Sequence, residues 1–386
     1  MKKILILGGG AGGAVLASRL AKKLGSEVSI TVLDKNLYHE FRPSYLWIAT
    51  GYREPDHIRK PLTLLEKRGV RYSNEEIRSI DLGNRTVTTD KSKYEYDYLV
   101  VSLGAVLKPE KIKGLDGAHH AWELSDALKL RSALSEFRGG KVVIGPTRTP
   151  YRCPPAPIEI AFMIRYLATI RGFSDKTDIT VVHPAWSKPM EAFGPFMSSS
   201  FEKFMEDYKI QFIGRWTVEE VDPVGKVVIG ANGEKLKYDL AILVPPHEPA
   251  KPVADNPDLI DKESGFMSVD KRSLRHPKYD EVYGIGDIIA PTLKIGMAGV
   301  FAHFQADYVA TRLVNEIKGV YMGLEYNRTG ICVMDLGFLG AGAFCDFGSY
   351  IDGKSAYPDC YMLGGMSIMR ILKIAFERMW FKELFG

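Results

Sequence analysis

Two groups of side chains have the types and spacing to do chemistry: a glycine run near the N-terminus and four dispersed cysteines. The run Gly8-Gly9-Gly10-Ala11-Gly12-Gly13 contains G-x-G-x-x-G at Gly8, Gly10 and Gly13. In that register one glycine permits a tight turn, one lets backbone approach a pyrophosphate, and one lets a helix pack against a strand. A phosphate placed there meets free N–H groups and the positive end of the helix dipole. Such a fingerprint is weak alone, but a second apolar run, Val28 to Leu33, ends in Asp34, about twenty residues on, where a carboxylate accepts ribose hydroxyls. A carboxylate favours a free 2′-hydroxyl, hence FAD or NAD rather than NADP. The cysteines, Cys153, Cys332, Cys345 and Cys360, are too few for a disulfide scaffold and match no zinc spacing, so no metal is expected. The default for an isolated cysteine is a small buried hydrophobe.

The elements that must carry these residues read as alternating strands and helices. Ile4 to Leu7 is a continuous apolar run, as in a parallel strand buried on both faces, and Ala14 to Leu24 has helical spacing. Lys2 and Lys3 before it imitate a signal peptide, but the apolar stretch is too short and runs into glycines. At 386 residues the chain should divide into two or three domains. A net charge of +4 without a Lys/Arg run excludes nucleic acid as a partner, and no stretch is long and apolar enough to span a bilayer as a helix.

Two later segments resemble the flavoproteins with two dinucleotide-binding domains. Tyr96 to Ala105, with Gly104, looks like their strand that ends in a small-residue turn, and Val282 to Asp287, with Gly286, looks like their late motif. The resemblance implies FAD, with Asp287 at the ribityl chain. Lys294 and Gly296 lead into a helical pattern from about Met297 to Ile317. Its N-terminus would face the pyrimidine end of the flavin, where Lys294 would stabilise negative charge. Pyridine-nucleotide reductases of this architecture repeat the fingerprint mid-chain. Here, after Lys141 to Ile144, the sequence is Gly145-Pro146-Thr147-Arg148-Thr149-Pro150, and the partner strand Ile179 to Val182 ends in His183 rather than an acid. The two prolines remove N–H donors from a loop that would need them, so the second Rossmann-like domain is expected to lack a working NAD site.

Directly after that loop, Pro150-Tyr151-Arg152-Cys153-Pro154-Pro155-Ala156-Pro157-Ile158-Glu159 resembles the redox-cysteine motif of the sulfide:quinone oxidoreductases and of the flavoprotein subunit of flavocytochrome c sulfide dehydrogenase. In them the cysteine pairs with a second near the start of the C-terminal region; the match is Cys332, in Thr329 to Asp335. The resemblance implies that sulfide opens a disulfide or sulfur bridge by thiol exchange and that the freed thiolate passes two electrons to FAD. Pro157 as a first helical residue would put Cys153 ahead of a helix whose positive end lowers its pKa, and Glu159 would carry a proton. Cys345 and Cys360 are read as structural. Leu37 to Trp47 lacks the cysteine that binds FAD covalently in flavocytochrome subunits, so FAD should be non-covalent, with Tyr38 a candidate contact. Ala121 to Ser125 lacks the further cysteine of many quinone-reducing members, which implies a two-cysteine cycle.

At the C-terminus, Arg370, Lys373 and Glu377 fall on one helical face, and Ile368, Ile371, Leu372, Ala375, Met379 and Trp380 form a broad apolar side. This predicts an interfacial helix with its basic residues at lipid phosphates, in a peripheral, monotopic protein that passes electrons to a membrane quinone. The expected architecture is α/β: an FAD-binding domain from 1–108 and 241–324, a second Rossmann-like domain at 109–240, and a membrane-facing region at 325–386. A homo-oligomer is compatible with this reading. Three other functions are weighed: a soluble sulfide dehydrogenase feeding a cytochrome, a type II NADH:quinone reductase, and a flavin redox sensor without turnover.

Overall fold

The computed structural model describes residues 1–294, 296–320 and 323–386. Two parallel sheets carry the chain. In the first, the spatial order is Val282–Gly284, Tyr98–Val101, Lys2–Leu7, Val28–Asp34 and Arg71–Asn74, all parallel. In the second it is Ile210–Gly214, Thr177–His183, Gly140–Pro146 and Leu240–Val244, again all parallel. The central strands carry continuous apolar runs, Ile4 to Leu7 and Leu240 to Val244 among them, because helices and loops cover both faces of each sheet there. Ile4, Leu5, Ile6 and Leu7 are each no more than 2% exposed.

The units repeat one plan. Each runs strand, helix, strand, then a further strand, a three-stranded antiparallel meander (Ile77–Glu95 in the first unit, Val218–Lys237 in the second), and a return strand. A third layer follows: an antiparallel sheet of Thr329–Asp335, Gly340–Asp346 and Asp359–Met366, and a terminal helix, Ile368–Phe385. Among the described residues no helix is long and apolar enough to cross a membrane.

The terminal helix forms, but its polarity is the reverse of the expectation. Met369, Lys373, Glu377, Trp380 and Leu384 make the buried stripe. Lys373 and Glu377 are 4% and 5% exposed, while Ile371 and Met379 are 58% and 65% exposed. Partners inside the protein explain the inversion. Lys373 pairs with the buried Glu159 carboxylate, Glu377 accepts from Ser44 and from Arg53 Nε at 3.0 Å, and Arg370 Nε meets Asp335 at 2.9 Å. Ion pairs satisfied this way hold charge in the interior and leave the aliphatic face outside. Trp380, expected on that outer side, turns inward. None of these three charged residues is free to serve a lipid phosphate.

Candidate functional site

The two parallel units and the third sheet enclose one cavity of about 970 Å³. The first unit contributes its glycine turn. Gly8 has φ +99, and a Cβ there would lie 2.4 Å from Ser102 O. A Cβ on Gly13 would lie 1.8 Å from Gly8 O, so only hydrogen lets the helix close on the turn. Gly10 has nothing within 4 Å of a Cβ position and lines the cavity, leaving open space at the start of the helix Ala11–Leu24. Asp34 closes the turn by accepting from Gly9 N at 2.6 Å and Asn36 N at 2.7 Å, and burial raises its carboxyl above the usual range. Gly104, Gly286 and Asp287 also line the cavity, and the helix Gly299–Ile317 begins on its wall. Burial raises Asp287, with the Arg152 and Arg42 guanidiniums pulling the other way. An open glycine cradle at a helix N-terminus, a carboxylate at each of two strand ends and a long cavity suit a dinucleotide.

Lys294 does not line the cavity. Its backbone is left-handed (φ +58), closing the turn Pro291–Leu293, and its exposed ammonium lies over the Tyr350 ring at 4.8 Å, away from the cavity wall. Tyr38 is likewise exposed, under the Arg59 guanidinium, and does not line the cavity.

The second unit contributes a thiol. Cys153 and Cys332 are both free cysteines on the cavity wall. Cys153 stands at φ +56 before the helix Ala156–Ile170, donates its N–H to Met297 O at 2.7 Å and accepts from Ala156 N at 2.9 Å. The helix amide does pull its thiol pKa down, but burial and the nearby Glu159 outweigh it and push the thiol up to about 12. The expected low-pKa thiol is therefore not what the fold builds, because a positive helix end does not offset burial beside a carboxylate. Burial and the neighbouring Cys153 raise Cys332 as well.

Glu159 lies beside the thiols and on the cavity wall. It accepts from Asp335 N at 2.8 Å and from Lys373, and burial holds its carboxyl up against the pull of that ammonium. Burial alone would lower Lys373; the Glu159 charge outweighs it and keeps the ammonium protonated. Lys373 also lies 5.0 Å from the Trp47 ring centroid.

Several supporting residues were invisible in the sequence. Tyr151 donates to Pro154 O at 2.9 Å and accepts from His183 Nε2 at 3.1 Å, bracing the cysteine loop. His183 Nδ1 accepts from Ala185 N and Trp186 N, which fixes its neutral tautomer, and burial lowers its pKa to about 3. In the first unit His39 Nδ1–H donates to Gly9 O at 2.9 Å, while its Nε2 accepts from Trp380 Nε1 at 2.8 Å. Burial lowers His39 to about 4. Arg152, half-buried, donates to Glu123 at 2.9 Å. No sequence signal beyond proximity to Cys153 marks Tyr151 or Arg152. Cys345 and Cys360, read as structural in the sequence with no partner assigned, face each other across adjacent strands as a disulfide. Among the described residues no cluster could hold a metal ion.

The sequence pattern of the pyridine nucleotide-disulphide oxidoreductase family matches residues 2–306. The chain is 27% identical over 360 residues to a sulfide-quinone reductase of Aquifex aeolicus, across 87% of this chain and 81% of that protein. It is 27% identical over 351 residues to a mitochondrial sulfide:quinone oxidoreductase of Dictyostelium discoideum, across 86% and 74%. The X-ray structure of the sulfide:quinone oxidoreductase from Aquifex aeolicus superimposes with a TM-score of 0.86 at 24% identity, covering 100% of this chain and 92% of that one. This last likeness is one of fold.

Proposed function

The chain belongs to the pyridine nucleotide-disulphide oxidoreductase family, whose members carry a flavin, and from that premise we propose that it oxidises sulfide to sulfur or polysulfide through Cys153 and Cys332. The electrons pass through non-covalently bound FAD to a membrane quinone. The observation that carries this reading is that two cysteines 179 positions apart (332 − 153) are both free on the wall of the cavity that the glycine turn opens into. Relatives that match most of the chain bear names that specify sulfide and quinone.

The residues divide the work. Gly10 and the N-terminus of Ala11–Leu24 would hold the diphosphate, Asp34 the ribose, and Asp287 the ribityl hydroxyls. FAD supplies a two-electron acceptor. Hydrosulfide attacks the sulfur that bridges the cysteines, so that one sulfur becomes a persulfide and the other leaves as a thiolate. Burial and Glu159 raise the Cys153 thiol, so a thiolate that leaves there calls for a local proton donor. Glu159, with Lys373 fixing its orientation, is placed to serve. The second unit lacks an approach glycine after Gly145, so a nicotinamide cofactor has no cradle there.

Membrane contact rests on the outer face of the third layer. Ile331, Phe344 and Tyr361 are neighbours across three strands and are 46%, 44% and 64% exposed. Ile368, Ile371, Leu372 and Met379 of the terminal helix are exposed as well. An apolar face on both elements, with Lys373 and Glu377 turned inward and Arg378 and Lys382 exposed beside it, suits a lipid surface more than contact with a soluble cytochrome.

An anaerobic titration tests the reading. Sulfide bleaches the flavin, NADH does not, and added quinone restores the colour. Bleaching by NADH but not by sulfide would sink it.

A further inference from the structure

The Cys345–Cys360 disulfide stands on the same cavity as the two free cysteines: Cys345 lines the wall and is 4% exposed. The strand register relates it to Cys332. Cys332 opposes Ala343, and Gly330 opposes Cys345. The third strand continues those rows with Met362 and Cys360. Side chains two apart on a strand share a face, so Cys332 and Cys345 are diagonal neighbours on one side of the sheet. That side is the inner one: Ala343, Cys345 and Phe347 are buried, whereas Phe344 is 44% exposed. Cys360, the far sulfur, packs against both large hydrophobic cores.

Distance decides what chemistry the pair can do. Diagonal neighbours lie about 7–8 Å apart, beyond the roughly 4.4–6.8 Å between Cα atoms that a disulfide bridges. Cys332 therefore does not reach Cys345 directly without moving the ladder. One interposed sulfur atom spans the gap.

We propose that the Cys345–Cys360 disulfide is a second sulfur-exchange centre, which takes the outer sulfur of a persulfide carried by Cys332. This deepens the sulfide reading above and rests on it. The outer persulfide sulfur attacks Cys345 Sγ; a bond forms between them, the Cys345–Cys360 bond breaks, and its electron pair leaves on Cys360 as a thiolate. The Cys153 thiolate then attacks Cys332 Sγ, forming the Cys153–Cys332 disulfide and releasing Cys345 as a persulfide. Five sulfur atoms and two negative charges enter and leave, so no outside oxidant is needed. The relay resets the Cys153–Cys332 bridge and moves one sulfur away from it without using the flavin.

The test uses the intact flavin-loaded protein without oxygen. Limiting sulfide is added, thiols are trapped with N-ethylmaleimide, and peptides are mapped by non-reducing mass spectrometry while flavin absorbance is followed. The expected result is that Cys360 becomes labelled and Cys345 carries one extra sulfur in the wild type. In Cys332→Ser, labelling of Cys360 falls at least about 10-fold, because sulfide reaches the disulfide only through Cys332. In the double variant Cys345→Ala, Cys360→Ala, about half as much sulfide suffices to bleach the flavin, since the side acceptor is gone. A flavin that bleaches while Cys345–Cys360 stays intact in the wild type overturns the relay and leaves the sulfide reading standing. Equal opening of the disulfide in Cys332→Ser also overturns the relay alone. A flavin that sulfide does not bleach overturns both.

Discussion

The two parallel units share a plan and differ at one loop. In the first, three residues, Gly8 to Gly10, separate the strand Lys2–Leu7 from the helix Ala11–Leu24. In the second, nine residues, 147–155, separate Gly140–Pro146 from Ala156–Ile170. The short loop brings a helix N-terminus and bare backbone to the cavity. The long loop carries a cysteine there, while Thr147 and Arg148 tie its start to Val244 O and Val218 O. Each loop is propped by a buried neutral histidine: His39, five residues past the first unit's second strand, under Gly9, and His183, the last residue of the second unit's second strand, under Tyr151. One architecture can thus present either an anion cradle or a thiol, depending on what fills the strand-to-helix crossing.

The largest expected effect tests the thiol side. Cys153→Ser and Cys332→Ser should each lower sulfide-driven flavin reduction by about 10³-fold or more, since the pair acts as a unit, with FAD content unchanged. Stopped-flow absorbance measures it; wild-type rates in both variants would remove the cysteines from the mechanism. Next comes the cradle. Gly13→Ala must displace backbone, because its Cβ would lie 1.8 Å from Gly8 O, and should cost about 3 kcal/mol or more in chemical denaturation. Gly10→Ala meets nothing within 4 Å, so its stability should change by less than about 0.5 kcal/mol. Its FAD dissociation constant should nevertheless rise about 10-fold. Equal destabilisation by both would erase the distinction between a packing glycine and a cradle glycine.

Acid sensitivity follows from the props. Folded His39 and His183 have pKa values lowered by burial to about 4 and about 3, against an ordinary value of about 6.5. The unfolded chain therefore takes up protons first as pH falls. Stability is complete above about 6.5, declines below it by up to about 1.4 kcal/mol per pH unit for each histidine, and levels off near pH 3–4 for these groups. Urea midpoints between pH 7 and 4 measure this, and His39→Phe should flatten the slope; an unchanged slope would show that the ring is not held neutral.

Tyr151→Phe strands His183 Nε2 and Pro154 O and should cost about 1–3 kcal/mol. It should slow the cysteine step, with the flavin spectrum unaltered. An equally small stability change belongs to the outer face: Ile371→Glu with Leu372→Glu should stay within about 0.5 kcal/mol while abolishing co-sedimentation with anionic vesicles. Retained vesicle binding would relocate the membrane contact.

Much of the site was legible because its signals are local. Gly8, Gly10, Gly13 and Asp34 lie within one strand-turn-helix-strand, and the motif around Cys153 is contiguous. The placement of Lys294 was not legible, because a lysine before a helix reads the same whether its side chain turns toward the cavity or lies, as here, over Tyr350. The terminal helix misled for a related reason. Helical periodicity places Arg370, Lys373 and Glu377 on one face, but a sequence does not say whether water or a buried partner awaits that face. Glu159, Asp335, Ser44 and Arg53, all distant in the chain, are those partners.

By itself the sequence determined the doubly wound architecture, the family and the glycine turn that opens into the cavity, because strand periodicity and glycine stereochemistry act over a few residues. Only the tertiary structure decided how charge and sulfur are distributed around the cavity. It turned Lys373 inward, linked Trp380 through His39 to Gly9, pushed the Cys153 thiol up to about 12, and joined Cys345 to Cys360 on the face that carries Cys332. Burial and pairing set those properties, and both come from contacts between segments far apart in the chain.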